Sequence, residues 1–119
     1  MEEVKKLVQQ ALLKGVEMHK NGKLDLATQL YRSVLKIIPR HADAQYNLGI
    51  ISLDNGNFFE AKAHFRVAVE ENSNNPQHWI SYIDSLLRLF EFDDALDVLR
   101  RARKRGLNGE PFNRLELQI

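Results

Sequence analysis

The 119-residue sequence predicts an all-α fold: three antiparallel helix-turn-helix hairpins followed by a short capping helix. Three observations predict it. Apolar residues recur at spacings of three and four, the period of one helix face, through most of the chain. The same order of small and large residues returns at an offset of 34. Pro39, Pro76 and Pro111, with Gly22, Gly56, Gly106 and Gly109, fall where that periodicity breaks.

The offset can be read position by position. Gly15 falls on Gly49, and Asn21-Gly22 on Asn55-Gly56. Ala27, Ala61 and Ala95 align, as do Tyr31, Phe65 and Leu99, and Val34, Ala68 and Ala102. Leu24, Phe58 and Phe92 form a further set. The implied units are residues 8–41, 42–75 and 76–107, with the final helix near 110–118 and one domain over 1–119. Each unit must stack on the next to bury its apolar face.

In the first unit, Gly15 lies inside a helical pattern, where glycine costs about 1 kcal/mol relative to alanine. Close approach of the second helix explains it, with Ala27 as the small residue facing the gap. Asn21-Gly22 suits a left-handed helix end. Lys14 departs from the apolar residue expected before Gly15. The second unit is the most regular. Gly49 repeats the role of Gly15, Ala61 that of Ala27, and Tyr31, Phe58 and Phe65 should fill the space between hairpins. Asn57 with Glu60 three residues on reads as an N-cap with its capping-box partner. In the third unit, Asn75 caps a helix with Pro76 at its first position. Ile83 replaces the packing glycine. Phe90 replaces the turn glycine, so a turn of another shape is expected there, because a bulky left-handed residue costs roughly 1–2 kcal/mol. Pro111, Phe112, Leu115 and Ile119 then outline the helix that covers the third hairpin.

Leu48-Gly49, Ala61, Phe65 and Ala68 resemble the tetratricopeptide repeat, a helix-turn-helix unit. So do Gly15, Ala27, Tyr31 and Pro39, and Trp79, Ala95, Leu99 and Ala102. The resemblance covers residues 8 to 107 and implies a right-handed superhelix whose first helices line a concave surface. On this sequence the inward positions include Leu12, Val16 and His19, then Tyr46, Asn47, Ile50 and Leu53, then Ile80, Asp84 and Leu87. Gln9, Lys20, Asp43, Asp54, Gln77 and Arg88 flank them. The apolar members would make a groove for a helix or extended segment with apolar anchors, centred on Tyr46, Ile50 and Leu53. Alternatively, these residues pack on their neighbours. On the groove reading, replacing Tyr46 and Ile50 by alanine should weaken partner binding and leave the fold intact. Some family members hold the C-terminal carboxylate of chaperones in a clamp of two lysines, two asparagines and an arginine. The matching positions here are Leu12, Val16, Asn47, Gln77 and Ser81. Only Asn47 agrees, so binding by that mechanism is not expected.

The expected function is a non-catalytic scaffold that binds a protein or peptide. The segment from Gly15 to Ile51 also resembles repeat heads that precede glycosyltransferase, sulfotransferase or methyltransferase domains in bacterial proteins. On that alternative the chain presents substrate, or self-associates, for the remainder of a larger parent chain. No cofactor is expected. The absence of cysteine removes disulfides and thiolate zinc sites and fits a cytoplasmic setting. His19, His41, His64 and His78 occupy four different positions of the repeat and do not converge as metal ligands. Glu70-Glu71 and Asp93-Asp94 are neighbours on a helix, about 100° apart, and make no acid–base dyad. Neither a phosphate loop nor a nucleophile elbow appears. Net charge is +1, which gives no field toward nucleic acid or an anionic membrane. The exception is the basic run Arg100–Arg105. Its cations are explained by the negative end of a helix dipole. Trp79 and Tyr82 read as core.

Overall fold

Four of the chain's turns share one hydrogen-bond pattern, and that pattern sets the architecture. The computed structural model describes all residues, 1–119. Helix α1 spans Glu2–Lys20, α2 Leu24–Ile37, α3 Ala42–Asp54 and α4 Phe58–Glu71. Then come α5 Pro76–Arg88, α6 Phe92–Lys104 and α7 Glu110–Leu117. At the end of α1 the Lys23 N–H donates to the Met18 carbonyl at 2.8 Å and the Gly22 N–H to His19. Asn57 and Gly56 repeat this after α3, and Leu107 and Gly106 after α6. Each is a Schellman motif, which requires one left-handed residue. Gly22, Gly56 and Gly106 supply it, with φ of 76°, 79° and 87°.

The turn after α5 keeps the same shape, against the expectation raised by Phe90. Glu91 N–H donates to Leu86 and Phe90 N–H to Leu87, with Phe90 itself at φ 58°. The two bonds and the outward ring, 77% exposed, let the motif form at the cost of a strained residue. A second expectation also changes. Asn57 makes no side-chain cap to α4, so the capping box with Glu60 is not formed. Its backbone, at φ −88° and ψ 70°, is already fixed by the turn before it. Lys23 and Glu91 begin α2 and α6 in the same conformation, also without side-chain caps. Side-chain caps occur between hairpins instead. Asn75 Oδ1 accepts from the Gln77 N–H at 3.0 Å, and His41 Nδ1 from the Ala44 N–H at 3.3 Å.

The helices pair as α1–α2, α3–α4 and α5–α6, each hairpin stacks on the next, and α7 lies against α5 and α6. The assembly measures 43 × 29 × 21 Å. Inside the first two hairpins, a Cβ placed on Gly15 would lie 2.6 Å from the Tyr31 ring, and one on Gly49 2.5 Å from Phe65. The aromatic of the second helix thus fills the glycine gap, and not Ala27 or Ala61. Hairpin three divides the same space differently, with Ile83 and Leu99 both buried. Lys14 is exposed and pairs with Glu17 at 3.9 Å, whereas Leu48 and Tyr82, one and two repeats on, are buried. The α7 helix buries Phe112 and Leu115.

Two apolar clusters result. One joins Val8, Leu12, Tyr31, Val34, Ala44, Leu48 and Ile51; the other joins Phe65, Trp79, Ile83, Leu99 and Phe112 with their neighbours. Helix α3 faces both, because Tyr46, Ile50 and Leu53 pack on the second. This explains why α3 is apolar on two sides.

Candidate functional site

The sequence-predicted residues lie on the first helices α1, α3 and α5 and fall into two groups. Leu12, Val16 and Asn47 converge on a recess of about 270 Å³ between α1 and α3, completed by Gln9, Leu13 and Asp43. Leu12 is buried, Val16 and Asn47 are half-buried, and Leu13 is exposed. Gln9 and Asp43 give the rim its polar groups, and no basic side chain lines it. The recess can therefore receive an apolar side chain beside a hydrogen-bond donor or a cation.

The second group is engaged within the fold. The Tyr46 ring stacks on His78 with centroids 4.6 Å apart and tilts against Phe65 at 5.6 Å. Its hydroxyl lies 3.4 Å from Ser81 Oγ. Ile50, Leu53 and Ile80 are half-buried against the same cluster, and Leu87 is buried in it. Asp84 pairs with Arg88 at 3.5 Å. Tyr46 thus holds hairpins two and three together, so replacing it by alanine is a stability change as well as a surface change. The expectation that a Tyr46/Ile50 double replacement spares the fold is corrected accordingly. His19 is half-buried, and its imidazole forms no hydrogen bond within the chain.

Burial dominates the environments of His64 and His78. His78, 2% exposed, has its pKa lowered by desolvation, while the charge of Asp43 and the backbone of Ala68 and Asn72 pull the other way. His64 is lowered for the same first reason and bonds Gln45 Oε1 at 2.7 Å. No three His, Asp or Glu side chains come together as a metal site. Within the basic run, Arg103 bonds Asn108, Asn113 and Glu116, joining α6 to α7. Arg105 bonds Ser73 Oγ at 2.9 Å, and with Arg101 it approaches the Trp79 ring. Trp79 is 1% exposed and its indole N–H donates to the Ser73 carbonyl, so it offers no stacking platform. Leu13, which also lines the recess, was not among the inward positions read from the sequence. A groove of about 450 Å³ between α4 and α6 also escaped the sequence reading. The available signal was Phe59, a large apolar residue at an outward position.

A sequence profile described as tetratricopeptide repeat matches residues 18–79, more than half of the chain. The chain belongs to the tetratricopeptide-repeat family. Its glycine–aromatic pair recurs in the first two hairpins, and its small residues Ala27, Ala61 and Ala95 in all three. Its fold matches the first TPR of Spaghetti (RPAP3) bound to the HSP90 peptide SRMEEVD, with a TM-score of 0.80 and 19% identity. That match covers 95% of this chain and 90% of the other. The TPR2B domain of yeast Sti1, in a complex with pHsp70, matches with a TM-score of 0.81 and 22% identity over 95% of both chains. At these identities the likeness is one of fold. Anaphase-promoting complex subunit 3 of Schizosaccharomyces pombe is 32% identical over 93 residues, which is 77% of this chain. The chain spans 14% of that protein's length. The five positions of the chaperone clamp are split between the two groups of residues. Leu12, Val16 and Asn47 line the recess, whereas the Gln77 amide donates to Ser81 Oγ at 3.3 Å. None of the seven helices is long and apolar enough to cross a membrane.

Proposed function

We propose that this tetratricopeptide-repeat chain is a non-catalytic module for protein–protein interaction, and that its front recess takes an apolar side chain from a peptide or helix of a partner. The observation that carries the reading is the convergence of Leu12, Val16 and Asn47 in one recess. Two structural neighbours are described as bound to an HSP90 peptide and to pHsp70. That supports the general role of the fold. The chemistry here differs, because Leu12 and Val16 stand where a carboxylate clamp needs cations. An apolar anchor with a neighbouring basic or amide group, facing Asp43, suits this recess better than an acidic tail. Tyr46, Ile50, Leu53 and Ile80 continue the surface but contribute as its packed wall. Cysteine-free composition fits action in a reducing, cytoplasmic setting.

The test uses a partner captured with the native chain from its host and then purified. Titrated against the native protein and against Val16→Glu and Leu13→Glu, it should bind at least about tenfold more weakly to each variant, the scale expected of a hot-spot contact. Melting temperatures should stay unchanged for Leu13→Glu, whose side chain is exposed. Equal affinity for all three proteins would overturn the recess as the binding site.

A further inference from the structure

The groove between α4 and α6, on the face built from the second helices of the hairpins, differs from its own repeat copy. Its floor is α5, and its volume is about 450 Å³. A groove of about 290 Å³ lies one repeat earlier, between α2 and α4 over α3. The earlier groove carries Ser52 and His64 where the later one carries Leu86 and Val98. His64 is moreover bonded to Gln45. The repeat therefore packs with polar residues at these two places, and stacking alone does not require apolar ones. Phe59, at the mouth of the later groove, is 69% exposed and adds apolar surface.

Most of the charges around this floor form no ion pair within the chain. Lys62 is neutralised, with Glu91 at 3.0 Å. Arg66 on one wall, and Asp94, Asp97 and Arg101 on the other, take part in none of the chain's ion pairs. Tyr82 is 7% exposed, and its hydroxyl makes no hydrogen bond. Tyr82, Arg66 and Arg101 line the groove together. Burial raises the Tyr82 pKa, the positive fields of Arg66 and Arg101 lower it, and the negative fields of Glu70 and Asp94 raise it. A phenol donor with two guanidinium groups is suited to a carboxylate. Asp94 and Asp97, three residues apart, share a helix face and suit a cation.

We propose that this groove docks a segment of a partner polypeptide in which an apolar side chain lies between an acidic and a basic residue. The apolar side chain packs on Leu86 and Val98. The carboxylate reaches Arg66, Arg101 and the Tyr82 hydroxyl, and the cation meets Asp94 and Asp97. Charges of both signs on the walls of one groove fit a polypeptide, whose adjacent residues carry opposite charges on one strand or helix face. The volume accommodates a few side chains. Recognition here is independent of the front recess.

Short random peptides displayed on phage are selected against the chain carrying Val16→Glu, which blocks the front recess. The selected peptides should share an acidic, an apolar and a basic residue. Their affinity for Arg66→Glu, read by fluorescence polarisation of the synthetic peptides, should fall at least about tenfold, the scale of a lost charge-assisted contact. Arg66 is exposed and unpaired, so the melting temperature of Arg66→Glu should match that of its parent. Selection against Asp97→Lys should yield peptides without the basic residue. Peptides lacking the acidic residue, affinity unchanged by Arg66→Glu, or no enriched peptide would each overturn the proposal. Because the front recess is blocked throughout, none of these results bears on binding there.

Discussion

Gly49 and Phe65 divide one volume between them, and so do Gly15 and Tyr31. A methyl group on Gly49 would press on the Phe65 ring at 2.5 Å, within a site where Phe65 is fully buried. Overpacking costs about 1–3 kcal/mol, and the gain in helix propensity returns up to about 1 kcal/mol. Gly49→Ala should therefore lose on the order of 1 kcal/mol in urea denaturation. Gly49→Ala combined with Phe65→Leu should lose less than the two single changes add up to, since hairpin three already works with Ile83 and Leu99. Phe90 makes the opposite case. It is left-handed and 77% exposed, so Phe90→Gly relieves strain and gives up little burial. The melting temperature should rise, by up to about 1 kcal/mol of stability after glycine's unfolded-state entropy is subtracted. A fall would mean that the edge contact with Phe92, 6.1 Å between centroids, matters more than the strain. His64 and His78 set a pH dependence. Both have pKa values below the ordinary 6.5 when folded, so the unfolded chain binds more protons as pH falls through that value. Stability should be full above about 6.5, decline below it, and level off once the folded histidines protonate. Urea midpoints measured from pH 7.5 to 5 check this, and a midpoint that rises on acidification would contradict it. At this scale the sequence showed that the glycines were gaps. It did not show that the largest ring on the facing helix would fill them, because Ala27 and Tyr31 both lie on its inner face. Phe90 was misread because propensity was weighed alone, without the two hydrogen bonds that hold the turn.

Helix existence and order were readable from the 34-residue period, because each element repeats its punctuation. The starts of α2, α4 and α6 were less readable. A polar residue before a helix looks like a cap, but at Asn57 the preceding Schellman turn has already fixed the backbone. The α7 helix was legible from Pro111, Phe112 and Leu115, and it closes the apolar face of α5 and α6 in this structure. Phe112 is 1% exposed, so Phe112→Ala should cost about 3–5 kcal/mol in chemical denaturation. A loss under about 1 kcal/mol would show that α7 contributes little to the core. The groove side was only half legible. The pattern placed Leu12, Val16 and Asn47 on one face, and they do share a recess. It could not separate a groove residue from a wall residue. That distinction depends on how closely α5 approaches Tyr46, and the stack with His78 decides it.

The molecule as a whole is not divided where its sequence repeats. The cluster around Tyr31 and Leu48 contains 9 buried residues, and the one around Trp79 and Leu99 contains 14. In a stack where each hairpin touches only its neighbours, stability follows local burial. Hydrogen exchange should therefore be faster in α1 and α2 than in α5 and α6; uniform protection over all six helices would indicate a single cooperative unit. Arg40 ties the stack across its surface by bonding Glu70 and Glu71 of α4, an exposed link that salt weakens. The boundary between the two clusters runs through hairpin two, with Ala44, Leu48 and Ile51 of α3 on one side and Ala61, Phe65 and Val69 of α4 on the other. For anyone lengthening this protein, a hairpin is thus not a finished brick. Each new course stays open on its mortar side until a helix from across the next proline joint closes it, as α5 does for α4.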